Sequence, residues 1–192
     1  MIDGVCAGES GLLLARHGQT DDNVEPIRAQ GFRDTPLNAV GHEQARELAE
    51  RVAGLEPPVR SLWSSDLERA AQTAAIVGRR VGLDARLDAR LREGDRGDWE
   101  GRLFVDIARD DPDGYAAWMR AGADFRFPGG ESLREQADRV WAALEAIRSS
   151  GPLPALVVCH GGCIRSVLCR CERRGLGAFH SFDVPNADLV AL

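Results

Sequence analysis

Two histidines far apart in the chain stand in the same local setting. His17 follows Leu-Leu-Leu-Ala-Arg and precedes Gly18; His160 follows Ala-Leu-Val-Val-Cys and precedes Gly161 and Gly162. A neutral imidazole can serve as a covalent nucleophile, and a glycine directly after it lets backbone amides approach a bound group closely. Arg16 stands beside the first histidine, and Arg69 falls in the first turn of a helical segment. A cation at that end of a helix opposes the helix dipole, and a bound anion would reverse the penalty. Helix amino-terminal amides and planar guanidinium groups are both good phosphate partners. Together these residues point to one shared site for a phosphate-bearing ligand.

The elements that must carry them are legible as apolar runs. Leu12 to Ala15, Val59 to Trp63, Ala155 to Cys159 and Leu189 to Leu192 read as strands. Between them lie helical patterns. The segment from Asn38 to Leu55 places Ala45, Leu48, Ala49 and Val52 on one face, and the segment from Asp66 to Val81 does the same with Leu67, Ala70, Ala74 and Val77. Ser65 with Glu68, and Ser132 with Glu135, have the spacing of capping boxes. The second box opens a helix carrying Leu133, Ala137, Val140, Leu144 and Ile147. Short apolar strands alternating with amphipathic helices predict an α/β fold, a three-layer αβα sandwich whose central sheet is mostly parallel. In such sheets ligands bind beyond the carboxyl ends of the strands, where both histidines are delivered. Residues from about 101 to 130, with Phe104, Tyr115, Trp118, Phe125 and Phe127, read as short helices inserted beside the sheet. Most of these aromatics are expected to pack in the core.

Composition narrows the classes. The chain has 192 residues, 44% hydrophobic and 28% charged, which suits one domain over 1–192 with one sizeable core. No run approaches the length of a membrane span. The amino terminus lacks the basic and apolar regions of a secretory signal, so a cytoplasmic location is expected. A net charge of −6 argues against a nucleic-acid partner. All 24 basic residues are arginine, which excludes every lysine-based chemistry. The five cysteines, Cys6, Cys159, Cys163, Cys169 and Cys171, form neither a disulfide framework nor a zinc spacing and read as free thiols.

A longer series of motifs now comes into view. The stretch from Leu14 to Asn23, Gln30-Gly31, Asp34-Thr-Pro-Leu37, Ser64 to Ala74, Leu91 to Gly101, Pro128 to Ser132 and Val157 to Arg165 resembles, in order, the histidine phosphatase superfamily, the phosphoglycerate mutase-like proteins. The resemblance implies metal-independent phosphoryl transfer with no organic cofactor. It makes His17 the nucleophile, has Arg16, Arg69 and His160 bind the phosphoryl oxygens, and makes Glu93 the proton donor to the leaving alkoxide. Asn23, Gln30, Gly31 and Gly161 would help to bind substrate. Taken alone, Glu93 among Arg92, Asp95 and Arg96 would read as a surface charge. Beside a phosphate dianion its pKa should be raised.

Three further readings compete. Cys159 to Arg165 also fits C-x-x-G-x-x-R, which resembles the phosphate loop of cysteine-dependent tyrosine phosphatases. That reading leaves His17, Arg69 and Glu93 without roles. Mutases of the resembled superfamily have a longer insertion and an asparagine after the second His-Gly, where this chain has Gly162. Both departures favour a small phosphatase, similar to those acting on α-ribazole phosphate or on phosphomonoesters broadly. A silent phosphoester-binding module would be expected to lack the nucleophile or the acid. The expected ligand is a small phosphorylated metabolite, with no membrane partner; its identity and the oligomeric state are not legible.

Overall fold

The computed structural model describes residues 11–192; Cys6 and the rest of the amino-terminal stretch lie outside the described residues. Five strands form one sheet in the order β3-β2-β4-β1-β5. They are β1 (Leu12–Arg16), β2 (Ser61–Ser64), β3 (Ala85–Leu87), β4 (Ala155–Cys159) and β5 (Leu189–Ala191). All neighbours are parallel except β5, which runs antiparallel to β1. The short β3 is too polar, at Ala-Arg-Leu, to stand out as an apolar run. Helices α1 (Ala39–Ala53) and α2 (Glu68–Val81) cover one face, and α5 (Leu133–Ser150) and α6 (Gly161–Leu168) the other.

Side chains of successive strand residues point to opposite faces. Val157 and Cys159 of β4 therefore join Leu12 and Leu14 of β1 in the core beneath α5 and α6, while Leu156 and Val158 join Ala15 beneath α1 and α2. The predicted faces are buried on α1, at Ala45, Leu48, Ala49 and Val52, and on α2, at Ala70, Ala74 and Val77. The Ser132 box is formed, its Oγ accepting from the Glu135 amide at 3.2 Å and the Glu135 carboxylate from the Ser132 amide at 2.8 Å. The Ser65–Glu68 box is not formed. The first turn of α2 is capped from outside the helix, with the Glu68 amide donating to Asp34 Oδ1 at 2.7 Å. Leu67 occupies the N-cap position, and Ser65 is drawn into the site.

The predicted insertion forms α3 (Phe104–Asp110) and α4 (Pro112–Arg120). They pack on Trp99, Phe127, Leu133 and Phe179 in a third apolar cluster. Among the described residues no helix is long and apolar enough to cross a membrane.

One topological feature decides where the site lies. From β1 the chain leaves toward the α1–α2 face, and from β4 toward the α5–α6 face, although β1 and β4 are neighbours. Connections departing to opposite sides leave a crevice at the carboxyl ends of the two strands.

Candidate active site

Arg16 and Cys159 are register partners in the parallel β1–β4 pair, so His17 and His160 step off the sheet side by side. The His17 amide donates to the Cys159 carbonyl at 3.0 Å, and the imidazole centroids lie 5.1 Å apart. Of the residues singled out in the sequence, Arg16, His17, Asn23, Gln30, Arg69, Glu93 and Gly161 border a single cavity of about 500 Å³. His160 and Gly31 stand behind that wall.

The surroundings of His17 assign its proton. Nδ1 lies 2.7 Å from the Gly18 carbonyl oxygen, which can only accept, so Nδ1 carries the hydrogen and Nε2 keeps its lone pair. Burial, then the Arg69 and Arg16 guanidinium groups, push its pKa well below the ordinary histidine value, against the Gly18 carbonyl. The ring is therefore neutral at neutral pH. The loop is held from three sides: Gly18 N donates to Thr73 Oγ1 at 3.1 Å, and the His17 carbonyl accepts from Asn186 Nδ2 and the Ala187 amide, both at 3.1 Å.

Arg69 is wholly buried. It donates from Nη2 to the Gly31 carbonyl at 2.8 Å, from Nη1 to the Arg33 carbonyl at 2.9 Å and from Nε to His160 Nδ1 at 3.2 Å. Two carbonyls and an imidazole thus aim the fork, leaving one hydrogen on each terminal nitrogen uncommitted. Gly31 acts here through its backbone. His160 accepts at Nδ1, so its proton sits on Nε2, 2.9 Å from Ser65 Oγ. Burial and then Arg69 hold this imidazole, too, far below its usual pKa.

Arg16 donates from Nη1 to the Val184 carbonyl at 2.6 Å, while its buried Nε has no partner. A methyl group on Gly161 would stand 3.4 Å from that Nε, so glycine keeps the face of the guanidinium open to a ligand. Burial lowers the Arg16 pKa to about 10, still far above neutrality. Asn23 Oδ1 accepts from the Thr20 amide and Asn186 Nδ2, both at 3.2 Å, and Gln30 bridges Thr20 and Asp22 with its Nε2 at 3.1 and 3.3 Å.

Glu93 is buried, against its appearance as a surface charge. Oε2 accepts from the Gly162 amide at 2.8 Å; Oε1 accepts from Gln136 Nε2 at 2.7 Å and the Gly94 amide at 2.9 Å. Burial pushes its pKa up, but Arg96, the Gly162 and Gly94 amides and Arg69 together outweigh burial and leave it below the ordinary glutamate value. The expected raising would need a dianion beside the carboxylate; the protein's own groups hold Glu93 ionised at neutral pH. A Cβ at position 162 would collide with the Glu93 carboxylate, so Gly162 is where α6 and Glu93 meet.

Ser65, Thr73, Gln136, Gly162, Asn186, Arg96 and Arg165 were not singled out as site residues. Gly162, the second glycine after His160, and Arg165, the end of the C-x-x-G-x-x-R string, carried a local signal, and Ser65 was read only as a helix cap. The cysteine reading does not fit the placement: the Cys159 side chain lies in the core beneath α5 and α6, and Cys163 Sγ faces the Leu91 and Arg92 carbonyls. Burial raises the Cys163 pKa far above that of a free thiol. The cavity's positive charge comes from guanidinium groups, and among the described residues no group of three or more His, Cys, Asp or Glu is placed to hold a metal ion.

Comparison with known proteins finds relatives over most of the chain. A probable phosphoglycerate mutase of Salmonella choleraesuis is 40% identical over 165 residues, covering 82% of this chain and 74% of that protein. A mycobacterial glucosyl-3-phosphoglycerate phosphatase superposes with a TM-score of 0.80 at 34% identity, over 93% of this chain and 87% of the other. A putative α-ribazole-5′-phosphate phosphatase of Escherichia coli gives a TM-score of 0.77 at 30% identity, over 89% and 83% of the two chains. Residues 12–192 match the family model of the histidine phosphatase superfamily (branch 1). The chain belongs to that superfamily and is an enzyme of phosphoester hydrolysis.

Proposed function

We propose that the protein hydrolyses small phosphate monoesters through a phosphohistidine on Nε2 of His17. The observation that carries this reading is the state of His17: its proton is held on Nδ1 by Gly18, and its Nε2 is free beside Arg16 and Arg69 at the cavity. Nε2 attacks phosphorus, a P–Nε2 bond forms as the ester P–O bond breaks, and Glu93 delivers a proton to the departing oxygen. Arg16 and Arg69 carry the charge that spreads over the phosphoryl oxygens. In the second step water attacks phosphorus, Glu93 takes its proton, and the P–Nε2 bond breaks to release phosphate and neutral His17. The dianion itself supplies the negative charge that lifts Glu93 toward the protonated form.

His160 serves in this scheme by aiming Arg69. Asn23, Gln30 and Gly161 border the phosphoryl end, and Gly31 keeps its place through its carbonyl. Two features favour hydrolysis over phosphoryl return to a bound product: a short α3–α4 insertion and Gly162 in place of an amide side chain. The mutase-named relative makes isomerisation of a phosphoglycerate the alternative.

The test is release of inorganic phosphate from a panel of phosphomonoesters in excess EDTA, with His17→Ala alongside. Turnover that survives chelation and vanishes in the variant is expected. Undiminished release by His17→Ala would overturn the phosphohistidine. Isomerised phosphoglycerate without phosphate release would turn the reading to a mutase, and tight ester binding with neither product would turn it to a silent module.

A further inference from the structure

Arg69 borders the cavity with a guanidinium whose direction is set from behind. His160 fixes its Nε, and the Gly31 and Arg33 carbonyls fix its terminal nitrogens at 2.8 and 2.9 Å. Behind that loop stands Glu100, a half-buried residue that does not itself border the cavity. Its Oε1 accepts from the Phe32 amide at 2.7 Å and the Arg96 amide at 3.0 Å; its Oε2 accepts from the Arg33 amide at 2.9 Å and the Gly31 amide at 3.2 Å. A carboxylate offers about four lone-pair sites, so this one is spent on backbone. The same contact demands glycine at position 31, where a Cβ would collide with the Glu100 carboxylate.

One peptide plane joins Glu100 to Arg69. In a planar trans peptide the C=O of one residue and the N–H of the next point in opposite directions. The Gly31 carbonyl and the Phe32 N–H are the two ends of such a plane: its oxygen takes Arg69 Nη2 at 2.8 Å, and its N–H donates to Glu100 at 2.7 Å. The Gly31 and Arg33 amides, clamped to Oε2 on either side, keep the plane from turning over. Through the Arg96 amide Glu100 also grips the segment of the proposed proton donor, three residues beyond Glu93. A single turn of 3-10 helix, Gly97–Trp99, folds the chain back so that Glu100 and Arg96 meet, and Trp99 is anchored in the aromatic cluster. Burial lowers the Arg69 pKa, and Glu93, Asp34 and Glu100 oppose it. We infer that Glu100 is a positioning residue for phosphoryl binding: through the Gly31–Phe32 peptide it aims Arg69, and through Arg96 it sets the Glu93 segment in register with that arginine. This rests on the cavity being the phosphoester site.

The experiment is calorimetric titration with inorganic phosphate of wild type, Glu100→Gln, Arg69→Met and the double variant, each checked by thermal unfolding. Glutamine keeps one acceptor oxygen and sets an NH₂ against the amides that the other oxygen served. Glu100→Gln should bind phosphate about tenfold more weakly, the worth of one charge-assisted hydrogen bond. In the Arg69→Met background the same change should cost about twofold or less, because residues that act through one another do not add. Unchanged affinity in Glu100→Gln, or an equal loss in both backgrounds, would overturn the inference; a carboxylate that only stabilises the fold lowers the melting temperature and gives one of those two results. Where a variant does not fold, or Arg69→Met leaves no measurable binding, hydrogen exchange in the intact protein decides. A ligand on Arg69 ties down the plane to which the Phe32 amide belongs, so saturating phosphate should slow exchange of that amide about threefold or more, and an unchanged rate would overturn the inference. Phosphate binding in this pattern without turnover of any phosphomonoester would sink the hydrolase reading and leave this one standing, whereas no binding by wild type would overturn both.

Discussion

The Nε of Arg69 donates to Nδ1 of His160 at 3.2 Å, and the other nitrogen of that imidazole is anchored on Ser65. The second histidine of the paired strand ends therefore holds the arginine, which in the proposed reaction meets the phosphoryl group.

That relationship predicts how His160 variants behave. His160→Ala leaves a buried guanidinium N–H without an acceptor, which should cost about 1–3 kcal/mol of stability. A mis-aimed donor to the phosphoryl group should lower kcat about 100-fold or more. His160→Asn, whose Oδ1 takes the place of Nδ1, should recover part of kcat, and Ser65→Ala should fall between. Steady-state kinetics with thermal unfolding checks this; an alanine variant within threefold of wild-type kcat would count against a positioning role.

The depressed pKa of Glu93 predicts the pH profile. Free enzyme near neutrality has an ionised Glu93 and a neutral His17, so the productive encounter must bring its proton on the substrate monoanion. A phosphomonoester loses that proton near pH ~6, and kcat/KM should then fall about tenfold per unit above it. Once the dianion is bound, its charge raises Glu93, so the alkaline limb of kcat should lie at higher pH. The acid limb follows protonation of Glu93 and the strongly depressed His17. Profiles of both parameters decide the matter, and a kcat/KM flat from pH 6 to 8 would refute the assignment.

Gly162→Ala should be costly out of proportion to one methyl group. The added Cβ meets the Glu93 carboxylate and stands 2.9 Å from Gln136 Nε2. Displacing the proposed proton donor should lower kcat about 100-fold or more, while phosphate, which the proposal assigns to Arg16 and Arg69, should still bind. A variant with wild-type kcat would show that Glu93 does not depend on this contact.

Much of the framework was legible because local physics dictates it. The apolar alternation of β1 and β4, the buried faces of α1 and α2 and the Ser132 capping box each depend on residues within a few positions of one another. The motif order added the expected roles of Glu93 and Asn23 through resemblance. The Ser65–Glu68 box was misread for a reason the sequence does not contain: Asp34, distant in the chain, reaches the Glu68 amide first. Ser65 is then free to bond His160.

The sequence by itself determined that two histidines follow two buried strands and that arginine supplies all the basic side chains. Only the tertiary structure decided that those strands are adjacent, in register, and exit to opposite faces. Adjacency is a property of the sheet's strand order, which no short-range pattern encodes. The packing of distant segments likewise turns Glu93 from an apparent surface charge into a buried group held by Gly162 and Gln136.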